Sequence, residues 1–135
     1  MLERDYKFFN VAKSMAALST WSELPREQIG AILVLRNEIV AAAYNRRKTS
    51  PTQAYWAEKA GRPEAIWQHA EIGCLNHLAV PNWNPNLAKI YVYRETKQGI
   101  ALAKPCEICT MALRHFNVKH VFYTTQDGYC EEVWD

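Results

Sequence analysis

Apolar residues recur at helical spacing from Glu3 to about Thr20, where Phe8, Val11, Ala12, Met15 and Leu18 form one stripe. This predicts a first helix laid against a sheet. The pattern then changes. Ile29 to Leu35 is a nearly continuous apolar run, as expected of a central strand covered on both faces. Arg36-Asn37 supplies a tight turn, so Glu38 to Tyr44 is predicted to return as the antiparallel arm of a hairpin. The run Ala41 to Ala43 implies that something packs closely on that strand.

Asn45 to Gln68 is the least regular stretch, with Pro51, Gly61 and Pro63 around a short helix at Tyr55, Trp56 and Ala57. Segments of this length without regular structure are usually functional or mobile. Helical character resumes from His69 to Ala79, with Ile72, Leu75, Leu78 and Ala79 as its apolar face, and Pro81 to Pro85 breaks it. Ala88 to Tyr93 reads as a third strand. From Arg94 to Lys104 the chain makes an excursion turning at Lys97-Gln98-Gly99. Cys106 to Phe116 is a further helix with Ile108, Met111, Ala112 and Phe116 on one side, and Val118 to Thr125 is a fourth strand. The turn Gln126-Asp127-Gly128 then lets Tyr129 to Trp134 return as an antiparallel fifth strand. These elements describe a layered α/β domain with a mixed sheet of about five strands, spanning 1–135 as one domain.

Composition narrows the class. A chain of 135 residues that is 49% hydrophobic can bury a core without disulfide staples. A net charge of +2 is too mild to argue for a nucleic-acid partner. The N-terminus runs straight into an amphipathic pattern instead of a secretory signal, and no apolar run is long enough to cross a membrane. A cytoplasmic location is therefore expected, with the four cysteines reduced. There a Cys-x-x-Cys binds metal or does redox chemistry.

Two short stretches carry such chemistry, His69-Ala70-Glu71 and Pro105-Cys106-Glu107-Ile108-Cys109. One imidazole and two thiolates are three ligands for Zn²⁺, which leaves the fourth tetrahedral position open for a water. Glu71 is the residue type that could move protons between that water and a substrate. Cys106 and Cys109, after a proline at a helix start, lie where the helix dipole favours thiolate. A purely structural metal site is the alternative, but it lacks an evident fourth ligand and would leave Glu71 idle. Residues two apart on an ideal helix point roughly 200° apart, so helical spacing alone separates His69 from Glu71. Cys74 and Cys130 are expected to pack, and His77, His115 and His120 have no ligand-like spacing. Tyr55, Trp56 and Trp67 could stack on a base, although at least two of them are expected to pack instead.

The paired motifs, each opening a helix and each preceded by strands, resemble the His-x-Glu and Pro-Cys-x-x-Cys signature of the cytidine deaminase superfamily. The resemblance covers nearly the whole chain. It implies a three-layer α-β-α cytidine-deaminase-like fold in which His69, Cys106 and Cys109 hold zinc and Glu71 is the proton shuttle, not a ligand. It further implies that backbone groups at Ala70 and near Lys104 hold the base, that Asn45 contacts a sugar, and that the protein assembles as a homo-oligomer. Ala43-Tyr44-Asn45 is similar to the Gly-Tyr-Asn of deoxycytidylate deaminases, while Arg46 stands where a glycine usually follows. Arg46, Arg47 and Lys48 could meet a phosphate.

The leading expectation is a zinc-dependent hydrolase that deaminates a small-molecule cytosine nucleotide, dCMP to dUMP. Three alternatives accompany it. The first is a deaminase acting on a base within a polynucleotide, such as a transfer-RNA adenosine, against which the mild charge and the missing C-terminal helix argue. The second is a free-nucleoside deaminase, which an antiparallel fifth strand would resemble. The third is a zinc-stabilised module without catalysis.

Overall fold

The computed structural model describes residues 1–19, 28–76 and 84–135. The sheet is organised by β1 (Gln28–Leu35), which pairs antiparallel with both β2 (Glu38–Tyr44) and β3 (Ala88–Thr96). Its near-continuous hydrophobicity follows from that central place: Ala31, Leu33 and Leu35 belong to one core and Ile32 and Val34 to the other. Arg36 and Asn37 form the hairpin turn with φ of 53° and 65°, the left-handed pair that matches strand twist.

The strand order is β2-β1-β3-β5-β6, with β5 (His120–Thr125) parallel to β3 and β6 (Gly128–Val133) antiparallel to β5. The expected excursion after β3 adds a strand, because Gly99–Ile100 (β4) folds back on Glu95 and Thr96. The sheet therefore has six strands and not about five. One face carries α1 (Glu3–Ala16), and the other carries α2 (Pro51–Lys59), α3 (Ala70–Asn76) and α4 (Glu107–His115), so the layering is α-β-α. Among the described residues no helix is long and apolar enough to cross a membrane. The first helix ends at Ala16, with Ala17 as its C-cap, short of the expected Thr20; the expected run of α3 to Ala79, with His77, lies outside the described residues.

The first helix sits on the sheet rotated from the stripe expected of it. Phe9, Ala12, Ala16 and Asp5 are buried, whereas Val11 and Leu18 are 37% and 57% exposed. Asp5 can be buried because it accepts a hydrogen bond from the Tyr91 hydroxyl across the interface. Burial would raise its carboxyl pKa, but the Tyr91 and Leu2 donors outweigh that and hold it low. Tertiary pairing thus turned a polar residue inward; of the expected stripe Ala12 is buried, Phe8 and Met15 are half-buried against the core, and Val11 and Leu18 face outward.

Two glycines allow helices to approach the sheet closely. A Cβ on Gly73 of α3 would lie 2.6 Å from the Ala43 Cβ, which accounts for the small residues on β2. A Cβ on Gly30 would lie 2.1 Å from the Ala12 carbonyl oxygen and 2.4 Å from the Ala16 nitrogen, both backbone atoms of α1. Gly30→Ala must push that helix off the sheet, and the expected cost is about 3 kcal/mol. Denaturant unfolding measures it; a midpoint equal to wild type would mean that α1 does not pack this closely.

Candidate active site

The irregular stretch before α3 is closed at its base by backbone pairing. Arg46 N–H donates to the Gln68 carbonyl, Gln68 N–H to Lys48, and Ser50 N–H to Ile66. α2 is the insertion this ladder carries, capped by Ser50, whose hydroxyl accepts from Gln53 N–H. The ladder delivers His69 to the start of α3. His69 is not itself helical: its carbonyl accepts the first turn's bond from Gly73 N–H at 3.0 Å, so it stands at the N-cap position. That backbone change removes the helical separation of His69 from Glu71.

α4 brings the thiols. Cys106 is its N-cap, with extended backbone, and Cys109 is buried in the first turn. His69 Nδ1 lies 3.5 Å from Cys106 Sγ and 3.4 Å from Cys109 Sγ, and all three donor atoms are within 4.8 Å of one another. Zinc bonded at about 2.3 Å to sulfur and 2.0 Å to nitrogen spaces tetrahedral donors about 3.5 Å apart, so this donor set fits that ion in identity and in spacing. His115, by contrast, packs its ring on Trp56, and His120 pairs with Glu131 on β6.

The charges interact strongly. A hydrogen bond from Cys109 draws the Cys106 thiol down to about 4, against the opposing effect of burial, and the same bond pushes Cys109 up. Burial, reinforced by the nearby charge of Cys106, raises the Glu71 carboxyl to about 7. Burial opposes charge on His69 as well, but the bond to Cys106 and the negative charge of Glu71 outweigh it and raise that imidazole. Cys74, by contrast, points its thiol at the Ala31 carbonyl, 3.3 Å away, as a packing residue does.

A cavity of about 240 Å³ opens beside the cluster, lined by His69, Glu71 and Cys106 together with Ile29, Val92, Asn45, Arg94, Leu102, Ala103 and Lys104. That is smaller than the roughly 300–1,000 Å³ of most ligand sites. Asn45 is buried, and its Oδ1 accepts from Ile29 N–H at 3.0 Å, which fixes how the amide is turned. Lys104 pairs with Glu132 at 3.2 Å. Ala70 is fully buried at the start of α3.

Arg46 and Arg47 are exposed and do not line the cavity; their guanidinium groups lie 5.9 Å and 5.1 Å from the ring centroids of Tyr44 and Trp67. Of the three aromatic residues in this stretch only Trp56 is buried, while Tyr55 and Trp67 are 53% and 39% exposed, fewer than the expected two in packing roles. Arg94 and Gln53, which touch the cavity and the His69 backbone respectively, carry no motif in the sequence. Arg94 stood only as the start of an excursion, and nothing local marks Gln53.

Residues 2–125 match the family described as the cytidine and deoxycytidylate deaminase zinc-binding region. No curated protein matches the chain in sequence. Among solved structures, cytidine deaminase from Burkholderia pseudomallei is 18% identical with a TM-score of 0.68, covering 98% of this chain and 93% of that one. The apo dCMP deaminase of cyanophage S-TIM5 is likewise 18% identical, with a TM-score of 0.63 over 93% of this chain and 85% of its own. A tRNA:A34 deaminase studied for A-to-I editing is 20% identical, with a TM-score of 0.53 over 91% of this chain and 79% of its own. Likeness at these identities concerns the fold; the family match rests on the sequence itself. The chain belongs to the cytidine and deoxycytidylate deaminase family, and is a zinc-dependent hydrolytic deaminase.

Proposed function

We propose that the protein converts a cytosine nucleotide to the uracil nucleotide, dCMP to dUMP, in the cavity beside His69. The observation that carries this reading is the buried Glu71 carboxyl, facing the same cavity as a three-donor cluster and two cationic side chains. His69, Cys106 and Cys109 are assigned as the zinc ligands. Zinc, when bound, supplies the Lewis acidity that makes hydroxide available near neutral pH.

Glu71 takes the proton from the attacking water and passes it to the ring nitrogen beside the amine-bearing carbon. The water oxygen bonds to that carbon. The second water proton then goes, again through Glu71, to the amine, whose bond to carbon breaks as ammonia leaves and the ring carbonyl forms. A carboxyl raised to about 7 can both accept and return a proton at neutral pH. Backbone groups at Ala70 and around Lys104 hold the base, and Asn45 meets the sugar. Assembly as a homo-oligomer over the open side of the cavity, in a reducing cytoplasm that keeps ligand thiols free, belongs to the same reading.

A monophosphate is favoured because Arg94 and Lys104 both line the cavity. Arg94, which comes from β3, and Lys104 are the cations assigned to phosphate, with Arg46 and Arg47 exposed outside the cavity lining. The cyanophage enzyme has also been crystallised with dCMP and dUMP. A free nucleoside is the second reading, supported by the antiparallel pairing of β6 with β5.

Replacing Glu71 with Gln should keep zinc, assayed by metal analysis, while ammonia release falls about 10²- to 10⁴-fold. Undiminished turnover in that variant would remove Glu71 from the chemistry.

Substrate is decided by incubating the protein with cytidine, deoxycytidine, their monophosphates, free cytosine and transfer RNA, with dCMP expected to react fastest. Arg94→Ala should raise KM for dCMP about 10- to 100-fold, as loss of a charged hydrogen bond implies, and raise that for deoxycytidine much less. A larger dCMP-specific loss in the Arg46→Ala/Arg47→Ala protein would place phosphate recognition there. Reaction of the polynucleotide alone would overturn the nucleotide reading.

A further inference from the structure

Gln53 lies on α2, well away in sequence from both motifs, yet it is fully buried and hydrogen-bonded at both ends of its side chain. Its Oε1 accepts from the backbone N–H of His69 at 3.0 Å, and its Nε2 donates to the Ala65 carbonyl at 3.2 Å. The donor meets a carbonyl and the acceptor meets an N–H, so the amide fits in this orientation alone. One planar group therefore spans both ends of the segment that delivers His69.

The bond answers a specific need of the N-cap position. The N-cap N–H has no partner inside its helix, and in a capping box it is satisfied by a Glu or Gln three residues along. Three residues after His69 stands Ile72, which has no acceptor and is fully buried in the core. Gln53 supplies the missing acceptor from another helix. It is itself held, since Ser50 Oγ accepts Gln53 N–H at 3.2 Å, and Asn76 at the end of α3 donates to the same hydroxyl at 3.4 Å. Buried networks with every member bonded restrict a site to one arrangement.

We propose that Gln53 is a positioning residue for the zinc centre: its side-chain amide fixes the backbone at His69 so that Nδ1 meets the thiols of Cys106 and Cys109. The inference rests on the reading of His69 as a zinc ligand. A small rotation of the main chain at His69 would carry the ring away from the thiols at the start of α4. Gln53 reaches neither the substrate nor the metal; it acts through the histidine.

The test is zinc affinity by chelator competition, together with the absorption spectrum of the cobalt(II)-substituted protein, which reports ligand geometry. Gln53→Leu, similar in size and unable to hydrogen-bond, should bind zinc about 10- to 100-fold more weakly and alter the cobalt spectrum. Gln53→Glu, which keeps an oxygen for the His69 N–H, should recover most of the affinity. Affinity and spectrum unchanged in Gln53→Leu would overturn the inference while leaving the zinc ligands in place. A wild-type chain that takes up no zinc would overturn the ligand reading, and this inference with it. Amide hydrogen exchange on the wild-type protein is the check that needs no variant. Protection at His69 comparable to the central strands supports the bond, and free exchange there overturns it.

Discussion

A buried carboxyl, a buried thiol and a half-buried one gathered against one imidazole form a corner that cannot carry all its negative charge unaided. The charge of Cys106 makes the ionised form of Glu71 harder to hold, and little water reaches Glu71 to share the field. Burying such groups without a counter-charge costs several kcal/mol per ion, on the order found for buried charges generally. The rest of the site answers that constraint. Cys106 caps α4, where the dipole favours a thiolate; Cys109 turns its proton toward Cys106; His69 is biased toward its charged form. A divalent cation on these three donors would replace that arrangement with a stronger version of itself, since a metal is the largest local charge wherever it binds. The same ion that serves hydrolysis would therefore also hold α3 and α4 together.

Legibility in the sequence followed the range of the interaction that decides each feature. β1 and its hairpin are local: an unbroken apolar run, then Arg36-Asn37 in left-handed backbone, then the alanines that admit Gly73. Both motifs could be read because residue type and spacing encode the donor set directly. The face of α1 could not. Periodicity treats Asp5 as an outward residue, and it is the Tyr91 hydroxyl, 86 residues away, that allows it inside. The small strand β4 was hidden for a different reason, because two residues are too few to show any alternation.

The same distinction separates what was legible at the site from what was not. His69, Glu71, Cys106 and Cys109 announce themselves, but the convergence of His69 with Glu71 depends on where α3 begins. That beginning is set by a ladder of backbone bonds between 46–50 and 66–68 and by an amide from α2. No spacing rule contains a start point fixed from outside the helix. Arg94 was missed for a related reason: a single arginine at the end of a strand is ordinary until the chain beyond it folds back to make a wall.

That wall separates the two tasks of the site. The three donors that could hold a metal come from the starts of α3 and α4, whereas Leu102, Ala103 and Lys104 come from the excursion after β3. The excursion is fastened to β5 through one buried threonine. Thr124 Oγ1 donates to the Ala101 carbonyl at 2.7 Å and accepts from Arg94 N–H at 3.1 Å, while the Thr124 carbonyl accepts from Ala103 N–H at 2.9 Å. Arg94 adds a bond of its own, from Nη1 to the Leu102 carbonyl at 2.8 Å. These bonds involve neither His69 nor the cysteines. The donor cluster is therefore set by the helices that the motifs announce, and this wall of the cavity by an excursion whose sequence carries no motif.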